Sequence, residues 1–128
     1  MRAYDMGNRK KTVLVADDDL DLMQLIKMQL QQAGFIVQLS PNGNGIARMA
    51  TENHPDVILL DITMDGISGG EICKKLKSNE ATSSIPIIMF SANENIEQVV
   101  RNCGANDFVK KPFNFQLIKD KISHFVET

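Results

Sequence analysis

Carboxylates gather in two short stretches of this 128-residue chain. Asp17, Asp18 and Asp19 are consecutive, Asp21 is close behind, and Asp61 follows the apolar run Val57–Leu60. Ser91 follows a second apolar run, and Lys110-Lys111-Pro112 a third. Crowded carboxylates raise one another's pKa. A divalent cation removes that conflict, and Mg2+ prefers oxygen ligands together with retained water. A lysine adds a point positive charge and a serine adds a hydrogen-bond donor. That set suits an incoming phosphoryl group: cation and ammonium neutralise its oxygens, the hydroxyl donates to one, and a carboxylate attacks phosphorus.

Such chemistry needs these residues in one place, and the pattern between them predicts how they meet. Thr12–Ala16 reads as a short buried strand. Leu22, Met23, Ile26, Leu30 and Ala33 fall on one helical face that stops at Gly34. Phe35–Leu39 is a second strand, Ser40-Pro41-Asn42-Gly43 a turn, and Ile46–Glu52 a weak helix ended before Pro55. Val57–Leu60 is a third strand. Ser68-Gly69-Gly70-Glu71 has the capping-box form and opens a helix through Ile72, Cys73 and Leu76. Residues 78–84 read as a polar loop, and Pro86–Phe90 as the fourth strand. Ile96, Val99, Val100 and Cys103 make another helical stripe, stopped by Gly104. Asp107–Val109 is the fifth strand, and Phe115, Ile118, Ile122 and Phe125 form the apolar face of a last helix.

Strands apolar on both faces and alternating with helices belong to a parallel sheet covered on both sides, in a single α/β domain with right-handed crossovers. Ligands bind such sheets at the carboxyl ends of the strands. Every group named above stands at one of those ends. Strands one and three are expected neighbours in a doubly wound sheet, so Asp17, Asp18 and Asp61 converge. Each residue alone has a duller use. Asp19 and Asp21 suit the cap of the next helix, Ser91 suits a turn, and Lys111 suits a solvated surface. Their joint placement is what argues for a site.

Composition narrows the function classes. With 43% hydrophobic and 23% charged residues, the chain has the balance of an ordinary globular domain. A net charge of −2 and a pI near 5.6 speak against direct nucleic-acid binding. No apolar run reaches the roughly 18 residues of a membrane span. Met1–Lys11 is polar and has no secretory apolar core. Residues 1–11 are expected to be a mobile lead-in to a domain over 12–128, and the expected compartment is the cytoplasm. Cys73 and Cys103 sit in apolar helical patterns without metal-ligand spacing and read as buried reduced thiols. His54 and His124 have no convergent partner in the sequence.

Four segments carry a family resemblance: V-L-V-A-D-D-D (13–19), L-L-D-I-T-M-D-G-I-S-G (59–69), I-P-I-I-M-F-S-A (85–92) and G-A-N-D-F-V-K-K-P-F (104–113). In this order and spacing, from Thr12 to Val126, the chain resembles the receiver domain of two-component response regulators, single-domain type. The resemblance implies a flavodoxin-like (βα)5 doubly wound sandwich with parallel strand order 2-1-3-4-5. It implies Asp61 as phosphoacceptor, with Asp18 a direct Mg2+ ligand, Asp17 beside it, often through water, and the Thr63 backbone carbonyl a further ligand. Ser91 and Lys111 would hold the phosphoryl oxygens across a cis Lys111–Pro112 bond. Ser91 and Phe108 would form the switch pair, and Thr63 and Asn93 would help set the phosphoryl lifetime. Three positions depart from the usual pattern: Asp65 replaces a common Pro, Phe108 a Tyr, and Ser91 a Thr.

The implied protein is a signalling phosphoacceptor, not an enzyme on external substrates, although it assists its own phosphorylation and dephosphorylation. Its donor would be a histidine kinase or a histidine phosphotransfer protein. Its output would be an unknown downstream protein or onward relay, with no nucleic acid or membrane bound directly. As a monomer or weak dimer it would use the face of the fourth helix, fifth strand and fifth helix. The receiver pattern leaves no segment for an output domain unless the chain is a fragment of a longer one. Two other readings compete. One is a receiver-like interaction module that works without phosphorylation, favoured only by Asp65. The other is an aspartate-nucleophile phosphohydrolase, disfavoured because Thr63 stands where its acid/base Asp is needed.

Overall fold

A computed structural model describes residues 10–40, 42–64, 66–92, 94–112 and 114–126. The elements run β1 (Thr12–Ala16), α1 (Leu20–Gln32), β2 (Ile36–Ser40), a 3-10 turn (Gly43–Gly45), α2 (Ile46–Asn53), β3 (Val57–Asp61), α3 (Gly69–Ser78), β4 (Ile87–Ser91), α4 (Ile96–Cys103), β5 (Asp107–Lys110) and α5 (Phe115–Val126). The five strands pair in parallel in the order β2-β1-β3-β4-β5, the flavodoxin-like arrangement expected. Between β3 and α3 lies a small antiparallel hairpin of Thr63–Met64 against Ile67–Ser68, too short to leave a periodic signal. Among the described residues no helix is long and apolar enough to cross a membrane.

Strand alternation sorts the core into two layers. Val13, Val15, Val57, Leu59, Ile88, Phe90 and Val109 point to one face, covered by Met23, Ile26 and Leu30 of α1 and Ile118, Ile122 and Val126 of α5. Leu14, Ala16, Ile58, Leu60, Ile87 and Met89 point to the other, covered by α2, α3 and α4. Each fully buried aliphatic side chain stabilises the fold by about 1.5–3 kcal/mol. A slip of one residue would exchange the two faces and bring every polar residue that ends a strand to the wrong side. The core thereby sets the direction of the site.

Helix ends follow the residues that cap them. Asp19 is the N-cap of α1, its carboxylate accepting from the Leu22 N–H at 3.0 Å, and Asp21 sits in the first turn, where the helix dipole favours a negative charge. Gly104 ends α4 in the left-handed region at φ 83°. The polar stretch after α3 is held more firmly than its composition predicts. Thr82 is buried and donates to the Leu76 carbonyl at 2.7 Å, and the Lys77 ammonium donates to the Ile85 carbonyl at 2.8 Å. Cys73 and Cys103 are free and buried where α3 meets α4, the Cys73 thiol lying 3.5 Å from the Cys103 carbonyl oxygen. Residues 1–9 lie outside the described residues, while the Lys11 carbonyl already accepts from the Ile36 N–H at 2.9 Å.

Gly69 has backbone pressed close against its Cα. It opens α3 with its N–H donating to the Ile62 carbonyl, and a Cβ there would collide with the Asp61 carbonyl oxygen and the Ile62 backbone. Since backbone cannot step aside as a side chain can, Gly69→Ala is expected to destabilise the domain by about 2–4 kcal/mol, read from urea unfolding. It is also expected to shift the Asp61 and Ile62 amide resonances.

Candidate functional site

Asp17, Asp61 and Lys111 continue the alternation that points Val15, Leu59 and Val109 toward α1 and α5. They meet at the carboxyl edge of the sheet. Asp17, 1% exposed, and Asp61, 7% exposed, are both withdrawn from water, while Asp18 is exposed. One carboxylate oxygen from each of the three lies within 4.8 Å of the others. Lys111 reaches over from the end of β5, its ammonium 3.1 Å from Asp17 Oδ2 and 3.9 Å from Asp61 Oδ2. The remaining oxygens are held by backbone: Asp17 Oδ1 accepts from the Asp19 N–H at 3.1 Å, and Asp61 Oδ1 from the Ile62 N–H at 2.8 Å. Asp61 Oδ2 is therefore the oxygen turned toward Lys111.

Burial pushes the Asp61 carboxyl up from its ordinary value of 3.8 to about 7, and the charge of Asp17 pushes the same way. A hydrogen bond shared with Asp17 adds to the rise, whereas Lys111 and the Ile62 N–H oppose it. One ammonium does not offset burial together with the charge of Asp17. The donor set that results is all oxygen and rich in negative charge, the kind that fits a hard divalent cation such as Mg2+.

Strand alternation turns Ser91 and Phe108 toward the opposite face of the sheet. Ser91 follows Ile87 and Met89, is buried, and its carbonyl accepts the Lys111 N–H at 2.9 Å. Phe108 pairs with Met89 in the β4–β5 register and packs, half-buried, against the layer under α2, α3 and α4. The Lys111–Pro112 bond is cis. Thr63 lies in the hairpin two residues past Asp61, while Asp65 and Asn93 lie outside the described residues. Asp19 is absorbed by its capping role, as its position after the strand suggests. The sequence pattern did not reveal that the Lys111 ammonium also sits over the Phe90 ring, 4.8 Å from its centroid.

The response regulator receiver domain family matches residues 13–123. This chain belongs to that family. PhoB, the phosphate regulon transcriptional regulatory protein of Pseudomonas aeruginosa, is 34% identical over 106 residues, which are 81% of this chain and 46% of PhoB. The chain spans less than half the length of the curated relatives it matches. Among solved structures, a putative response regulator from Chloroflexus aurantiacus superposes with a TM-score of 0.88 at 25% identity, over 94% of this receiver and 100% of that chain. The receiver domain of the sensor histidine kinase PA1611 from Pseudomonas aeruginosa shares the fold, with a TM-score of 0.85 at 23% identity over 94% and 100% of the two chains. That structure carries a magnesium ion in its active-site cleft.

The elevated Asp61 sets a pH dependence for the metal-free receiver. An acid whose folded pKa lies above its unfolded one binds its proton more tightly when folded. Stability is then greatest below about pH 4 for this group, declines as pH rises toward about 7, and levels off above it. Asp61→Asn is accordingly expected to raise the melting temperature more at pH 8 than at pH 5. The gain at pH 8 should be on the order of a few kcal/mol at most, measured by thermal unfolding in chelator.

Proposed function

We propose that this receiver accepts a phosphoryl group on Asp61 Oδ2 from a phosphohistidine of a histidine kinase or histidine phosphotransfer protein. The convergence of Asp17, Asp18, Asp61 and Lys111 at one strand edge carries this reading. Asp61 Oδ1 is engaged by the Ile62 N–H, so Oδ2, the oxygen on the Lys111 side, is the nucleophile. It attacks phosphorus, the phosphorus–nitrogen bond of the donor breaks, and the imidazole leaves with the bond's electron pair. Lys111 neutralises the oxygens of the arriving group and Ser91 donates a hydrogen bond to one of them. Mg2+ held by Asp17, Asp18, Asp61 and the Thr63 carbonyl would supply charge neutralisation at the carboxylates and the phosphoryl oxygens. Membership of the family and the all-oxygen donor set support that cofactor.

The signal then crosses the sheet. Ser91 drawn toward the phosphoryl group leaves space for Phe108 to turn inward, and the α4-β5-α5 surface changes its partner or passes the group onward. Energetically this is a population shift, limited by how much phosphorylation favours the active state. Thr63 and Asn93 would tune the lifetime of the aspartyl phosphate. The receiver acts as a phosphoacceptor in the cytoplasm and turns over no external substrate.

Acetyl phosphate with Mg2+ is expected to add one phosphoryl group, seen by intact mass, and Asp61→Asn to add none. Lys111→Ala should slow the reaction by about 100-fold or more, the usual effect of removing one preorganised cationic donor. No adduct on the wild-type chain, from acetyl phosphate or from any kinase donor, would sink the proposal. For the cofactor, Mg2+ is expected to raise the melting temperature of the wild type, and to raise that of Asp17→Asn distinctly less.

A further inference from the structure

Lysine is a compact charge on a flexible four-carbon stem, so its position must be imposed by its surroundings. The Lys111 side chain is 23% exposed, which leaves water as a competing destination for the ammonium. Asp17 and Asp61 attract it from one side. On another side stands the Phe90 ring, its centroid 4.8 Å from Nζ, inside the roughly 6 Å reach of a cation–π contact. Phe90 pairs with Asp61 on β3 and with Val109 on β5, so the ring sits between the strand of the nucleophile and the strand of the lysine. It is completely buried, and the packed core fixes its plane.

Core filling alone does not call for an aromatic at this place. The other buried apolar strand residues on this face are Val13, Val15, Val57, Leu59, Ile88 and Val109, all aliphatic. The one ring among them lies under the Lys111 ammonium. A ring face attracts the cation without taking a strong acceptor's share of its hydrogens. The N–H donors of Lys111 therefore remain available to oxygens.

We propose that Phe90 is a positioning residue for phosphoryl transfer, its ring holding the Lys111 ammonium beside Asp17 and Asp61 where the phosphoryl oxygens arrive. The inference rests on Asp61 being the phosphoacceptor and adds a residue that acts only through Lys111. The ring lowers the freedom of the ammonium before the donor binds, so its effect falls on the rate of transfer more than on the affinity for the cation.

Proton NMR of the metal-free wild type tests the contact directly: the Lys111 Hε resonances are expected upfield, shielded by the ring, and the shielding is expected to vanish in Phe90→Leu. With acetyl phosphate and saturating Mg2+, Phe90→Leu should lower the maximal rate of adduct formation about three- to tenfold, as loss of a cation–π contact of intermediate strength implies. The Mg2+ dissociation constant should stay within about twofold of wild type. Unshielded Lys111 Hε protons in the wild type overturn the proposal, and so does a folded Phe90→Leu protein that reacts at the wild-type rate. A parallel loss of rate and Mg2+ affinity also overturns it, since that marks a general disturbance of the site. Should Phe90→Leu fail to fold, the wild-type shielding decides alone. A wild type that forms no adduct would instead count against Asp61 as acceptor, a result the shielding does not depend on.

Discussion

Two carboxyl groups withdrawn from water within reach of a single ammonium are the constraint on which the rest of this receiver turns. At distances of 3.1 and 3.9 Å, Lys111 attracts each of Asp17 and Asp61 by on the order of 4–5 kcal/mol before desolvation, taking an effective dielectric of about 20. One positive charge cannot satisfy both of them and Asp18 as well. With all three acids ionised, the four side chains carry a formal charge of −2, since three acids oppose one ammonium. The rise of Asp61 to about 7 comes from burial first and the charge of Asp17 second, with Lys111 opposing both. An edge of this kind is poised to gain from added positive charge.

The sheet keeps this tension in place by dividing the work between its faces. Phe90 packs on the side of α1 and α5 and Phe108 on the side of α2, α3 and α4, and strand alternation turns Asp17, Asp61 and Lys111 toward the first and Ser91 toward the second. The link between them is backbone: the Lys111 N–H bonds to the Ser91 carbonyl at 2.9 Å, joining the ends of β4 and β5. At the floor of the site, Gly69 lets α3 begin against the Asp61 and Ile62 backbone. Residues of opposite faces thus share two adjacent strand ends.

Much of this architecture was legible before any coordinates. The strands were placed within about a residue, because continuous apolar runs bounded by turn residues leave few alternatives. Asp19 was readable as a cap and Gly104 as a helix stop, since both are local effects of backbone geometry. The hairpin after β3 was not, because two residues per arm are too few for a period to show. The firmness of the polar segment around Thr82 was also hidden, since its hydrogen bond to Leu76 depends on how the chain folds back.

The sequence by itself determined the residue types at the strand ends, the alternation that gives each strand two faces, and the motif order that marks a receiver. These follow from covalent order and local periodicity, which a linear chain carries in full. Only the tertiary structure decided that the Asp61 oxygen facing Lys111 is Oδ2, that Asp17 is the closer partner of Lys111, and that a Phe90 ring lies beneath the ammonium. Asp17 and Lys111 are 94 residues apart, and the Phe90 ring reaches them from a third strand. Distances, burial and the resulting rise of the Asp61 pKa arise from the convergence of β1, β3 and β5, for which no local pattern exists.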